Sequence, residues 1–186
     1  NSAAPYGINI EYSGGAPDSD SDTANQAIKF FDNSGSTRFV VAGDGDVLNH
    51  DNSYGQLSDE RIKTNIVDAN SQWDDIKALK VRNFERKDDV EQHGAGSKVQ
   101  IGVIAQELET AGMGGLLNEG DPTEIDIKHS SEFGELNEDG TIKSTTGEKV
   151  KSVKYSVLYI KAIKALQEAM TRIETLEAEV TALKGE

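Results

Sequence analysis

The sequence contains no cysteine, which removes disulfides and thiol nucleophiles from consideration. Its three histidines, His50, His93 and His129, lie far apart with no shared ligand spacing, so a zinc centre is not expected. Asp44, Asp46 and Asp51 crowd the stretch DGDVLNHDN, but the spacing and bidentate glutamate of an EF-hand loop are missing. The glycine-rich pieces GAGS and GMGG are not followed by a Walker lysine with Ser or Thr. Neither a metal nor a cofactor is expected.

Apolar and basic residues are also scarce. Aromatic residues make up 6% of the chain and hydrophobic ones 35%, against 28% charged, so a core formed by one copy alone would be thin. Such chains often bury their apolar surface against neighbouring chains. Lys and Arg number 19 against 33 Asp and Glu, a formal net charge of −14. That balance argues against a nucleic-acid partner or an anionic membrane surface, since phosphate binding needs clustered cations. No run of about 18 apolar residues exists, so membrane insertion is not expected. The opening NSAAPYG lacks the basic-then-apolar order of a signal peptide and reads as the cut edge of a longer protein.

What is present divides near residue 57. The first part is strand-like and rich in turns. YGINIEY alternates apolar and polar positions, SGGAPDSDSDTAN is a polar loop, and QAIKFF, DNSGS and TRFVVAG predict a hairpin or two successive strands. DGDVLNHDNSYG closes the region with further turn residues. Short strands without a private core are stable when several copies wrap together, so residues 1–57 are expected to end an intertwined, trimeric β shaft.

From Ser58 onward the pattern becomes mixed α and β. SQWDDIKALK predicts a short helix with Ser71 as N-cap and Asp74 three residues on. KVRNFERKDD predicts a strand, HGAGS a turn, and KVQIGVIAQELETAGM a strand running into a helix. Residues 114–150 are expected to be loops with short strands, including a hairpin over ELNEDGTIKS, where Asp139-Gly140 suits a tight turn.

The last segment, Tyr155 to Lys184, contains neither Gly nor Pro. Written as heptads, its a positions are Tyr159, Leu166, Ile173 and Val180, and its d positions Ala162, Ala169, Leu176 and Leu183. Four repeats of a 3.5-residue seam predict a coiled-coil helix over about 155–184. Ile163 and Met170 widen the stripe, which leans toward three strands. The plain alternative is an amphipathic helix lying on its own domain.

One stretch, QLSDERIKTNI at 56–66, carries candidate chemistry. A serine hydroxyl is a poor nucleophile unless a base removes its proton, and a lysine does so only when its amine is neutral. Ser58 and Lys63 are five apart, however, which is about 140° on a helix and opposite faces on a strand. Neither regular geometry joins them, although a turn or a second chain would. On spacing alone the commoner reading is that Ser58 or Asp59 caps a helix, with Ile62 and Ile66 an apolar pair and Lys63 a solvated flank.

LSDERIKTNI resembles the opening of the C-terminal intramolecular chaperone domain of bacteriophage tail fibres and tailspikes, the peptidase S74 family that includes the endosialidases. Ser58, Asp59, Arg61, Ile62, Lys63 and Ile66 fit its signature. IKALKVRNFERKDD followed by IGVIAQELE is similar to its central region, with Ile101, Gly102, Ala105, Gln106 and Glu107 in order. VKSVKYSVLYIKAIKALQEAMTRIETLEAEV is similar to its closing strand and helix.

The resemblance implies an α+β architecture: a β-rich trimeric shaft end at 1–57, then a mixed α/β chaperone domain at 58–186 ending in a long coiled-coil helix. It implies a homotrimer that folds its own upstream fibre shaft and then cuts itself between Leu57 and Ser58. Ser58 would be the nucleophile and Lys63 the general base, with Asp59 and Arg61 in support, Arg61 through like-charge repulsion of the Lys63 proton. Residues 1–57 would remain in the virion, where the mature fibre meets a host cell-surface receptor. The chaperone domain would be released in the host cytoplasm during assembly. Two alternatives remain open here. One is a trimerisation tip of the same fold that does not cut. The other is a receptor-binding tip using residues 1–57 or the 112–150 loops.

Overall fold

Alternating residues in QAIKFF and TRFVVA, separated by a turn-forming DNSGS, give an antiparallel pair in the computed structural model, which describes residues 10, 26–43 and 45–185. The expected strand YGINIEY and loop SGGAPDSDSDTAN lie outside the described residues. Strand β1 is Gln26–Phe31 and β2 is Thr37–Ala42, with Phe30 opposite Phe39. The turn between them is organised by Asp32. Its Oδ1 accepts from Ser34 Oγ at 2.6 Å and from the Ser34 and Ser36 backbone N–H groups, and its Oδ2 accepts from Arg38. The Ser34 hydroxyl first, then Arg38, lower the Asp32 carboxyl from 3.8 to about 2.

A third strand, β3 (Val47–Asn49), pairs with β2 where the sequence suggested only turn residues. Three residues are too few to show a period, and β2 offers them an open edge. Val40 is buried, whereas Phe30, Phe31 and Leu48 are exposed, so this small sheet leaves apolar surface uncovered.

The chain divides into two compact units, 1–66 and 67–186. The second unit is mixed α and β. In order it contains α1 (Trp73–Ala78), β4 (Arg82–Phe84), α2 (Lys87–His93), β5 (Gln100–Gly102), α3 (Ala105–Thr110), β6 (Leu117–Gly120), α4 (Glu124–His129), β7 (Gly134–Leu136), β8 (Ile142–Thr145), β9 (Val150–Val153) and α5 (Tyr155–Lys184). The pairs β4–β5, β6–β9 and β7–β8 are antiparallel and two-stranded. Asp139 and Gly140 lie in the β7–β8 connection, where Asp139 Oδ1 accepts from the Thr141 N–H at 3.0 Å. The core is small: Leu108, Met113, Leu116 and Leu158, with Ile76, Leu79, Val103 and Val153 packed around them.

Three local expectations are corrected. Ser71 forms no capping box with Asp74, although its Oγ accepts from the Trp73 backbone N–H at 3.3 Å. The helix begins at Trp73 with Gln72 as N-cap, and Ser71 Oγ donates to Glu168 of α5 at 2.7 Å. KVRNFERKDD is not strand throughout, because Asp88 and Asp89 enter the first turn of α2, where acidic side chains favour a helix start. The 114–150 region also contains a helix, α4, closed by a capping box in which Thr123 N donates to Asp126 Oδ2 at 2.8 Å.

Helix α5 shows two apolar faces. Leu158 and Ala165 are buried on the side that meets α1 and the 3-10 turn Gly114–Leu116. The Arg172 guanidinium lies 3.9 Å from the centroid of the Trp73 ring, and Lys161 pairs with Asp75 at 2.7 Å. On another face, Tyr159, Ile163, Leu166 and Met170 are exposed. Every residue from 173 to 185 is exposed, and 173–184 form about 18 Å of helix at 1.5 Å per residue. The helix therefore lies on its own domain by one face only, and the seam positions Tyr159, Leu166, Ile173, Leu176, Val180 and Leu183 stay uncovered.

Candidate functional site

After β3 the chain runs without strand partners. Residues 51–71 are all exposed, Leu57 at 86% of its free surface. The one ordered device within 56–66 is a single 3-10 turn, Glu60–Ile62. Asp59 starts it: Oδ1 accepts from Arg61 N at 2.9 Å, and the Ile62 N–H donates to Asp59 O at 3.2 Å. Lys63 N–H donates to Glu60 O at 3.1 Å and closes the turn. Lys63 itself is extended, and Asn65 takes a left-handed φ of 54°, which asparagine tolerates better than most residues.

This reversal solves the spacing problem. Between them, the tight turn and the extended Lys63 bring two side chains together that neither a helix nor a strand would join. Lys63 Nζ lies 2.6 Å from Ser58 Oγ. Both groups are exposed. Ser58 therefore faces its lysine, and the capping role falls to Asp59.

Asp59 and Arg61 form a two-pronged pair, Arg61 Nε to Oδ1 at 2.9 Å and Nη2 to Oδ2 at 2.6 Å. The Arg61 side chain, then its backbone N–H, hold the Asp59 carboxyl below the usual range, and Asp59 raises Arg61 in return. The Arg61 charge is thus neutralised within its own turn, which works against its repelling a proton from Lys63. Among the described residues no carboxylate lies within ion-pair distance of Lys63. Asp44 of the acidic stretch lies outside the described residues, and Asp51 accepts from His50 Nδ1 at 2.6 Å.

The comparisons with known proteins start at the same serine. Residues 58–116 match the family model for peptidase S74, chaperone of endosialidase. The match contains the Ser58–Lys63 turn, the β4–β5 pair and α3, and it stops before α5. Among solved structures, one described as a novel intramolecular chaperone is 22% identical, with a TM-score of 0.43, covering 62% of this chain and 99% of that one. A second is the carboxy-terminal domain of the bacteriophage T5 L-shaped tail fibre with its intramolecular chaperone domain, 16% identical with a TM-score of 0.38. There the match covers 81% of this chain, which spans 44% of the length of that fibre fragment. No curated protein matches the sequence.

Proposed function

We propose that this chain is the C-terminal end of a phage tail fibre or tailspike, in which residues 58–186 act as an intramolecular chaperone for a β shaft ending at residue 57. Three copies associate along the exposed seam of α5, register the shaft strands beside them, and then cut themselves between Leu57 and Ser58. The shaft stays in the virion, where the mature fibre meets a host receptor, and the chaperone is released in the host cytoplasm. Registering three intertwined strands costs much chain entropy. A trimerising helix at the end of the same chain raises the strands' effective concentration, which lowers that cost.

The observation that carries the cleavage reading is the 2.6 Å approach of Lys63 Nζ to Ser58 Oγ. It sits at the residue where the family match begins. In the neutral form the Lys63 amine takes the hydroxyl proton as Ser58 Oγ adds to the Leu57 carbonyl carbon. The Leu57–Ser58 C–N bond then breaks, the proton passes to the departing Ser58 nitrogen, and an ester remains. Water hydrolyses the ester to the Leu57 carboxylate and the Ser58 hydroxyl. The substrate is the chain's own backbone, so no pocket for a diffusing substrate is required.

Expression of the chain followed by intact-mass spectrometry tests this. Two fragments meeting at Leu57–Ser58 are expected, none from Ser58→Ala, and about 10²- to 10⁴-fold slower cutting from Lys63→Ala, the usual contribution of a general base. An undivided wild-type chain in a threefold assembly would leave the second reading, a trimerisation tip that does not cut. The exposure of both dyad residues in a single copy is the observation that favours that second reading.

A further inference from the structure

We infer that charged residues flanking the α5 seam set the register of the assembled copies, Arg172 pairing with Glu177 of a neighbouring copy and Glu179 with its Lys184. Level copies attract through these pairs, and copies slipped by one heptad repel. This rests on the trimeric reading above and adds what holds the three helices level.

The apolar seam does not choose a level by itself. One heptad is about 10.5 Å of helix. A slip of that length sets Leu176 against Leu183 and Ile173 against Val180, so apolar residues still meet apolar ones. The choice falls to the positions beside the seam. With Tyr159, Leu166, Ile173 and Val180 at a, the e positions are Ile163, Met170, Glu177 and Lys184. The g positions are Leu158, Ala165, Arg172 and Glu179. Leu158 and Ala165 are buried on the domain from which α5 projects. The charged members all fall at the exposed end of the helix.

A closed ring of three identical helices is parallel. In a parallel coil, a g residue faces the e residue of the next heptad in the neighbouring copy. Level copies therefore set Arg172 against Glu177 and Glu179 against Lys184, opposite charges in both cases. When one copy slips by a heptad, Glu179 meets Glu177 across one interface and Arg172 meets Lys184 across the other. Both are like-charge contacts, so the pattern favours the level arrangement and penalises its nearest competitor. The occupant of the seam is thus a second copy, matched by charge. Among the described residues, none of these four forms an ion pair within its own copy. Arg172 is also held in place beforehand, its guanidinium 3.9 Å from the Trp73 centroid. The ring engages the face of that group and leaves its N–H donors at the rim.

The sequence contains no cysteine, so each introduced thiol is unique. Full-length chains with Leu176→Cys and with Leu183→Cys are co-expressed and oxidised, and the disulfides are mapped by mass. Links between like positions report level copies, and links from 176 to 183 report a slip. Sedimentation counts the copies and circular dichroism checks the fold. With the native charges, only like-position links are expected. Glu177→Gln with Lys184→Gln leaves Arg172 on Trp73 and is expected to assemble still, with the 176-to-183 link raised about tenfold or more. About 1 M salt is expected to raise that link for the native charges too, by screening. Reversing the set, with Arg172→Glu, Glu177→Arg, Glu179→Arg and Lys184→Glu together, is expected to restore level links although Trp73 loses its cation. A threefold assembly that stays level in the neutral variant overturns the inference and leaves the trimeric reading standing. A folded reversal variant that slips overturns it as well, as does native assembly without like-position links. A chain that stays single at every concentration removes the trimeric reading and this inference with it.

Discussion

Glu168 of α5 closes the entrance to α1 through Ser71: its Oε2 accepts from Ser71 Oγ at 2.7 Å, while Oε1 accepts from the Gln72 backbone N–H at 3.0 Å. A residue 97 positions away thus adds to the local bond from the Trp73 N–H to Ser71 Oγ, at 3.3 Å, an acceptor for the Gln72 N–H. Lys161 reinforces the joint through Gln72 Oε1 and Asp75, and Arg172 lies over Trp73. The joint fixes where α5 leaves its domain and begins to project.

This joint is pH-dependent in a defined direction. The Ser71 hydroxyl first, and the Gln72 N–H second, hold the Glu168 carboxyl below its ordinary value of 4.5. A depressed folded value adds stability above the unfolded carboxylate range, and that stability is lost as pH falls through the folded value. Thermal unfolding of wild type against Glu168→Gln should therefore show a lower Tm for the variant at pH 7. The difference should close below the carboxylate range.

Gly102 is a second structural constraint. A Cβ there would lie 2.6 Å from Tyr155 Oη and 3.2 Å from Phe84 Cε1. Tyr155 opens α5, and its hydroxyl accepts from Val103 N–H at 3.2 Å. Gly102→Ala should destabilise the second unit by about 1–2 kcal/mol through overpacking. Adding Tyr155→Phe removes the nearest clashing atom and should recover part of that loss, measured by denaturant unfolding as a double-mutant cycle.

The thin core sets a third expectation. Leu108 is 2% exposed and sits among Met113, Leu116 and Leu158. Leu108→Ala should cost about 2–5 kcal/mol, a large share of the stability of a small domain. Urea titration should show the midpoint falling with it.

The Asp59–Arg61 pair separates two roles for the arginine. If Arg61 acts by cancelling Asp59, Arg61→Ala leaves a bare carboxylate on the Lys63 turn, favours the ammonium and slows cutting. Asp59→Asn with Arg61→Ala then restores it, because asparagine keeps the cap and removes the charge. If Arg61 acts by repelling the Lys63 proton, the double variant stays slow. The structure favours restoration, read as cutting rate against pH.

Long regular elements were legible from the residues. The span of α5 from Tyr155 to Lys184 follows from thirty residues without Gly or Pro and a repeating apolar stripe. The β7–β8 hairpin follows from Asp139-Gly140. The six-residue helix α4 was missed, although Thr123 and Asp126 spell a capping box, since it is too short to establish a period. The three-residue β3 escaped for the same reason. Ser58 and Lys63 stood out as residue types, but their approach depends on a single 3-10 turn, which leaves no periodic trace. The contact between Glu168 and Ser71 is a property of packing and carries no local signal.

The openness of residues 51–71 also makes the unassembled chain a target for foreign proteases. Trypsin would nick it after Arg61 and Lys63, giving fragments that begin at Ile62 or Thr64, whereas self-processing leaves Ser58 at the new amino terminus. The new amino terminus, Ser58 against Ile62 or Thr64, therefore separates self-processing from foreign nicking in a single mass measurement.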